Sequence, residues 1–298
     1  MSLLNLTNDG LPNVLIVLYA TVARAKSPPT REELLESVAP AGVVEPAMAR
    51  QTLNRWTELG LFRQDESGIA LASPPDSNLK DEADVLLAVR KAARRCALSE
   101  SNNGDLWARE SAKAADLTRS LAWLLAQDAY RLRFRDVEEL ELGQVADPDV
   151  RLMQNDTRRN GLQFWSHFLG FVRQPGGGDV DPTVAIRETI PECIALGEEM
   201  PAADLIARLA MLLPVLDGGA YRSAVEARLE PQALPALQGG QLSTSLSRAL
   251  FNLIVDETLE FQNKADVGRS IVLTGRDGLR ADQRYSWVRR KSARRRSR

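Results

Sequence analysis

The stretch from Pro12 to Leu71 constrains this chain more than any other, because its punctuation dictates three helices followed by a hairpin. Pro12 to Ala25 carries an apolar stripe of Val14, Leu15, Val17, Leu18 and Val22 at helical spacing. Thr30-Arg31-Glu32-Glu33 opens a second helix as a capping box, in which the Thr30 hydroxyl accepts the Glu33 backbone N–H and the Glu33 carboxylate accepts that of Thr30. This short helix runs through Leu34, Leu35 and Val38, and Pro40-Ala41-Gly42 breaks it. Pro46 stands where a first helical residue needs no N–H partner, and Ala49, Leu53, Trp56 and Gly60 recur as one buried face. Leu61-Phe62-Arg63 and Ile69-Ala70-Leu71, joined across Gln64 to Gly68, make a β-hairpin in which Gly68 is free to take positive φ. The order predicts a winged helix-turn-helix.

Such a module reads DNA with its third helix, which fits the major groove while the hairpin rests on the backbone. The outward positions are Ala47, Met48, Arg50, Gln51, Asn54, Arg55 and Glu58. Arg50 and Arg55 suit phosphates or guanine edges, and Gln51 and Asn54 carry the donor and acceptor that match adenine. The same face also suits solvent or a protein partner. Glu32, Glu33, Glu36, Glu45, Glu58, Asp65 and Glu66 deny the segment the basic footprint of an autonomous DNA binder.

Length and charge bound the rest. At 298 residues the chain has material for about two domains. Scarce aromatics, 5%, and abundant Ala, Leu, Arg and Glu favour helix over strand. The net charge of −2 hides an asymmetry: from Arg284 onward there are eight Lys/Arg and no acid, which leaves −10 on residues 1–283. Arg289, Arg290, Lys291, Arg294, Arg295 and Arg296 form a basic tail, expected to be disordered when free and suited to nucleic-acid phosphates. Cys96 and Cys193 form no metal or disulfide pattern, so reduced thiols in a cytoplasmic protein are expected. The opening residues lack the basic and apolar regions of a signal peptide, and no stretch reaches the roughly 20 apolar residues of a membrane span.

Beyond the turn-rich link Ser73 to Asn78, Leu79–Leu98 reads as an amphipathic helix with Val85, Leu86, Val89, Ala92, Ala93 and Cys96 inside and Arg90, Lys91, Arg94 and Arg95 outside. A long helix is expected from Asp105 to Arg131, then a connector over Val137–Val145. Asn160–Arg173 is an aromatic helix (Phe164, Trp165, Phe168, Phe171) that reads as core rather than a base-stacking platform, since arginines flank only its ends. Near the end, Leu242 to Ser245 caps a helix through Leu246, Leu250, Leu253, Ile254 and Leu259. Strand-like runs at Ser270–Thr274 and Tyr285–Val288 follow it. With Ala202–Leu216 and Arg222–Leu229 as front half, this predicts a second winged helix whose outward positions include Ser243, Ser245, Ser247, Arg248 and Asn252; Ser245 and Arg248 join the DNA-facing set. The expected organisation is mostly α. A winged helix-turn-helix occupies residues 1–78, a helical middle 79–200, a second winged helix 201–288 and a disordered basic tail 289–298.

Recognisable catalytic chemistry is absent from the sequence. The one histidine, His167, has no Cys or carboxylate at ligand spacing and reads as a packed side chain rather than a metal ligand or base. Gly176-Gly177-Gly178 and Gly239-Gly240 lack the phosphate-cradle order, and Ser243–Ser247 lacks a nucleophile elbow. Glu138-Glu139, Glu198-Glu199 and Asp256-Glu257 are adjacent in helix-like segments and point to different sides. A non-enzymatic protein without cofactor or metal is expected.

The opening Leu4-Asn-Leu-Thr-Asn-Asp-Gly-Leu-Pro-Asn-Val-Leu15 resembles the DpdG family, accessory proteins of bacterial gene islands that insert 7-deazaguanine derivatives into DNA. Leu242-Ser-Thr-Ser-Leu-Ser-Arg-Ala-Leu-Phe-Asn-Leu253 with a later Lys264-Ala-Asp266 does so too, before the chain departs into Val267-Gly268-Arg269. The resemblance implies a role in the restriction or antiviral-defence arm of such a system, beside helicase and nuclease partners, and offers no catalytic residues. Three readings follow. One is a double-stranded-DNA-binding or scaffold subunit, one a protein-binding adaptor with no DNA contact, and one a winged-helix transcription regulator whose middle helices sense a ligand or form a homo-oligomer.

Overall fold

The computed structural model describes residues 3–4, 12–40, 46–75, 79–107, 113–153, 155–173, 179–264, 269–276 and 278–291, the last stretch without the side chains of 278–282. The described chain is mostly helical, with three small antiparallel sheets. It divides into two compact units, Met1–Thr118 with Asn155–Leu169 and Arg119–Gln154 with Gly170–Arg298. Residues 155–169, expected in a separate helical middle, therefore belong to the first unit.

In chain order come α1 (Pro12–Arg24), α2 (Arg31–Val38), α3 (Ala47–Glu58), β1 (Phe62–Asp65), β2 (Gly68–Leu71), α4 (Glu82–Leu98), α5 (Glu100–Asn103) and α6 (Ala115–Ala126). Next are α7 (Val137–Gln144), α8 (Asp156–Phe168), α9 (Thr183–Cys193), β3 (Glu199–Pro201), α10 (Ala202–Leu212) and α11 (Ala220–Glu226). The chain closes with α12 (Thr244–Val255), β4 (Leu259–Gln262), β5 (Ile271–Gly275), β6 (Gly278–Tyr285) and β7 (Trp287–Arg290).

In the first unit, three helices and a hairpin follow in the expected order. The capping box at α2 forms: Thr30 Oγ1 accepts the Glu33 N–H at 3.2 Å and Glu33 Oε2 accepts that of Thr30 at 2.8 Å. These bonds hold the Glu33 carboxyl below its ordinary range. Helix α3 stops through backbone bonds from Gly60 N–H to Thr57 O and from Leu61 N–H to Trp56 O. Gly60 takes φ +82°, the left-handed conformation this stop requires. Gly60 is thus exposed at the helix end rather than buried on its face. The hairpin pairs Phe62 with Leu71 through Asp65 with Gly68. Gly68 has φ +123°, and a Cβ there would lie 2.6 Å from the Pro29 carbonyl oxygen, so the turn sits directly against the backbone before α2.

Later residues complete this core. Helix α8 sets Trp165 against Trp56, ring centroids 5.3 Å apart, and against Phe168. The aromatic helix is core on this side, while Phe164 is exposed. His167 is exposed on α8 rather than packed. Arg94, expected outside, is buried and donates from NH1 to the Leu169 carbonyl at 2.8 Å, because α4 is covered along that edge as well. The single long helix expected over 105–131 is instead α6 alone, with residues 108–112 outside the described set.

In the second unit, residues 137–144 are helical, not a connector, and Val145 is the extended cap that follows. The buried Glu141 of α7 accepts the backbone N–H groups of Leu152 and Met153 at 2.8 and 2.7 Å, closing the chain back onto the helix. Strand β7 is the middle of a three-stranded sheet in the order β3-β7-β4, whereas β5 pairs with β6. The run Tyr285–Val288, expected as one strand, is therefore split at Ser286 between two sheets.

This sheet corrects the disordered tail at its near end. Arg289 pairs in register with Glu199 and Glu260, Arg290 pairs with Leu259, and Val288 between the flanking strands is buried. Arg290 NH1 donates to Ile194 O at 3.0 Å, and Lys291 Nζ lies 3.0 Å from Glu260 Oε2. Acids on both neighbouring strands face Arg289 and Lys291, and a backbone carbonyl takes Arg290, so a basic sequence forms a central strand. Arg294, Arg295 and Arg296 lie outside the described residues. Among the described residues, no helix is long and apolar enough to cross a membrane.

Candidate nucleic-acid interface

Helix α3 buries Ala49, Thr52, Leu53, Arg55 and Trp56, a stripe wider than the one read from apolar residues. Arg55 is 4% exposed and points away from the expected surface, its NH1 3.3 Å from Glu58 Oε2. The outward arc carries Arg50, Gln51, Asn54 and Glu58, with Met48 half-buried at its edge. The side chains of Arg50 and Gln51 make no hydrogen bond or ion pair among the described residues. Thr52 and Thr57 spend their hydroxyls on Met48 O and Leu53 O, both at 2.8 Å, and compete for no ligand.

Two neighbouring elements extend this arc. Arg31, the first residue of α2, donates from NH2 to Asn54 Oδ1 and from NH1 to Gln64 Oε1 on β1, the latter at 3.4 Å. One guanidinium thus ties the start of α2, the outward face of α3 and the first hairpin strand together. Arg63, the residue before Gln64 on β1, is exposed on the opposite face of the hairpin. At the hairpin tip, Asp65 accepts the Ser67 N–H at 2.8 Å and its hydroxyl, which together hold the Asp65 carboxyl below its ordinary range. The face therefore offers Arg31 and Arg50 as cations, with Glu58 on the same helix and Asp65 and Glu66 at the hairpin tip as acids. Glu58 is already engaged by Arg55.

The second expected reading helix behaves otherwise. Ser243 is the N-cap of α12; its N–H and hydroxyl donate to the Asp217 carboxylate at 2.6 and 2.7 Å. Ser245 is fully buried and donates to Leu125 O at 2.6 Å, and Ser247 accepts the Thr274 N–H at 2.8 Å. Arg248 donates from NH1 to Ala129 O and Val180 O at 3.2 and 3.1 Å, and its guanidinium lies 4.6 Å over the Tyr130 ring. Asn252 donates to Asp181 Oδ2 and Thr183 Oγ1. Every polar residue expected to point outward from α12 is committed to the interior of its own unit, because α9, β4 and β5 all pack on this helix.

A cavity of about 900 Å³ in the second unit is bordered by Arg131, Arg222 and Arg276 and by Asp128, Glu226 and Glu230. The three cations and three acids cancel, so this hollow does not concentrate a polyanion. Arg222 is buried against Glu226 and lies 3.6 Å from Asp217. The two thiols are poor nucleophiles, since burial pushes both Cys96 and Cys193 up to about 11. Among the described residues, no group of three or more His, Cys, Asp or Glu can hold a metal ion.

The sequence model of a family described as DpdG-like matches residues 1–267 of this chain. No curated protein and no solved structure matches it.

Proposed function

Since the chain belongs to the DpdG-like family, we propose that it is a non-enzymatic docking subunit of a bacterial DNA-modification and restriction system that defends against phage, placing helicase or nuclease partners on duplex DNA. In this reading the first unit is a winged helix-turn-helix, with α3 entering the major groove and β1–β2 as the wing. The observation that carries it is the outward arc of α3, where Arg50 and Gln51 are exposed beside Asn54 and Arg31. Arginines of this kind hold phosphates, and amides reach base edges.

In the same reading the second unit is a further winged helix built on α9, β3, α10, α12, β4 and β7, with β5–β6 as its wing, and the order of these elements supports it. Its α12 is an internal strut, and this unit serves assembly rather than reading. Residues 292–298, four of them arginine, add salt-sensitive phosphate affinity. Asp65 and Glu66 at the hairpin tip favour one competing reading, in which the same face meets a basic protein partner.

The test is recovery of the protein with its partners from the native host, followed by duplex-DNA binding by the protein alone and by the recovered assembly. DNA binding that is weakened by Arg50→Ala with Gln51→Ala in both samples supports the proposal. Binding unaffected by these changes, or carried wholly by the partners, assigns the face to protein contact.

A further inference from the structure

The bridge from Arg31 has a chemical consequence for what α3 can read. A guanidinium has only donors, so whichever atoms face it must be acceptors. Arg31 NH2 meets Asn54 Oδ1 and Arg31 NH1 meets Gln64 Oε1. With both carbonyl oxygens turned toward Arg31, each carboxamide presents its NH₂ group away from it. The adenine match expected for Asn54 needs its oxygen free to accept the exocyclic amine while its nitrogen donates to N7. That oxygen is turned toward Arg31, which takes one of its two lone pairs.

We infer that Arg31 is a positioning residue that fixes Asn54 donor-outward, so that this face prefers guanine, whose major-groove edge offers two acceptors, over adenine, whose edge offers one acceptor and one donor. The inference rests on the DNA-docking reading above. The surroundings reinforce the bias. Arg50 contributes donors only, Glu58 is engaged by Arg55, and Gln51 is the one amide of this arc left able to turn either way among the described residues. Opposite an adenine amine, the outward NH₂ group of Asn54 leaves hydrogen atoms on both sides without acceptors. Opposite guanine, O6 and N7 take both. Thr30 and Glu33 keep Arg31 in place, because the capping box fixes the first turn of α2 on which Arg31 sits. Gln64, held by the same guanidinium, directs its own donors from the hairpin, where phosphate oxygens are the acceptors a wing meets.

The experiment uses the full chain and duplexes randomised at four central base pairs, with bound and free fractions sequenced and affinities confirmed by fluorescence anisotropy. The unsubstituted protein should favour guanine over adenine at one position by about tenfold, the scale of one well-made pair of base contacts. Arg31→Ala releases Asn54 Oδ1 and should shift that ratio toward adenine, besides weakening binding to all duplexes alike. Arg31→Lys retains the charge but not the fork, and should restore overall affinity without restoring the ratio. Asn54→Asp keeps an acceptor for Arg31 and removes the outward donor, so it should abolish the guanine preference in a protein whose α2–α3 contact is preserved. Thermal melting of each variant separates loss of fold from loss of preference. Strong DNA binding with a guanine-to-adenine ratio that Arg31→Ala and Asn54→Asp both leave unchanged overturns this inference and leaves DNA docking standing. Failure of the unsubstituted protein to bind any duplex overturns both.

Discussion

Helices α3 and α12 are each twelve residues long, and each is followed by a strand that begins within four residues of its end. Their sequences offer similar outward sets: Arg50, Gln51 and Asn54 on one, Ser245, Arg248 and Asn252 on the other. The fold treats them oppositely. On α3 these side chains stay exposed, and only Asn54 is held, by Arg31. On α12 the backbone carbonyls of Leu125, Ala129 and Val180 and the side chains of Asp181 and Thr183 accept from Ser245, from Arg248 NH1 and from Asn252. A polar residue on a helix becomes a reading group only when the elements around it leave its face open. Where they close over it, the same donor satisfies carbonyls that would otherwise be buried without partners.

The contrast is sharpest on the inward side of α3. Trp56 is fully buried and packed on Trp165, so Trp56→Ala should cost roughly 3–5 kcal/mol, read by chemical denaturation. A loss below about 1 kcal/mol would mean α3 is not anchored as described.

Next in size is α12. Arg248→Ala removes a charged donor from two backbone carbonyls and should cost about 1.5–3 kcal/mol, while leaving DNA affinity unchanged at temperatures where the variant is folded. Weakened DNA binding by folded Arg248→Ala protein would erase the distinction between the two helices.

A smaller effect comes from Glu141, whose buried carboxyl is pushed above its ordinary value of 4.5 by desolvation despite the two N–H groups it accepts. The folded state holds its proton more tightly than the unfolded chain. This contribution to stability is therefore full below the ordinary value and is lost as pH rises through the raised one. Denaturation across this range should show that decline in the unsubstituted protein and a flatter profile in Glu141→Gln. Equal slopes would place the carboxyl in a wetter setting.

The smallest stability effect belongs to the open face. Arg50→Ala with Gln51→Ala should change stability by no more than about 0.5 kcal/mol, yet should lower DNA affinity and reduce the salt slope by about 1 if Arg50 meets a phosphate. Tests of the tail should remove only residues 292–298, since a cut at 289 removes strand residues paired with Glu199 and Glu260.

Local signals made the first unit legible. The Thr30–Glu33 capping box, the Gly68 turn and the Ala49, Leu53, Trp56 spacing act within a few residues of one another, and the fold retains all three. What escaped depended on distant partners. Arg55 counts as outward only if nothing covers that side of α3, and α8, more than a hundred residues later, supplies Trp165 against the neighbouring Trp56. Arg289 and Arg290 look like a tail until Glu199 and Glu260 are brought beside them. The apolar–polar alternation of Leu259-Glu260-Phe261-Gln262 was the available sign of β4. Its four-residue length hid it beside the polar stretch that follows. The burial of Ser245 and Ser247 had no local signal, because serine serves equally well at a surface and as a partner for buried backbone.

The central claim, that α3 is open to DNA and α12 is closed, is tested most directly by ultraviolet cross-linking of a duplex to the full chain, with the attached peptides mapped by mass spectrometry. The account predicts cross-links in the peptides that carry α3 and β1–β2, lost on competition with excess unlabelled duplex. Cross-links concentrated in 244–255, with residues 47–71 unmarked, would contradict it.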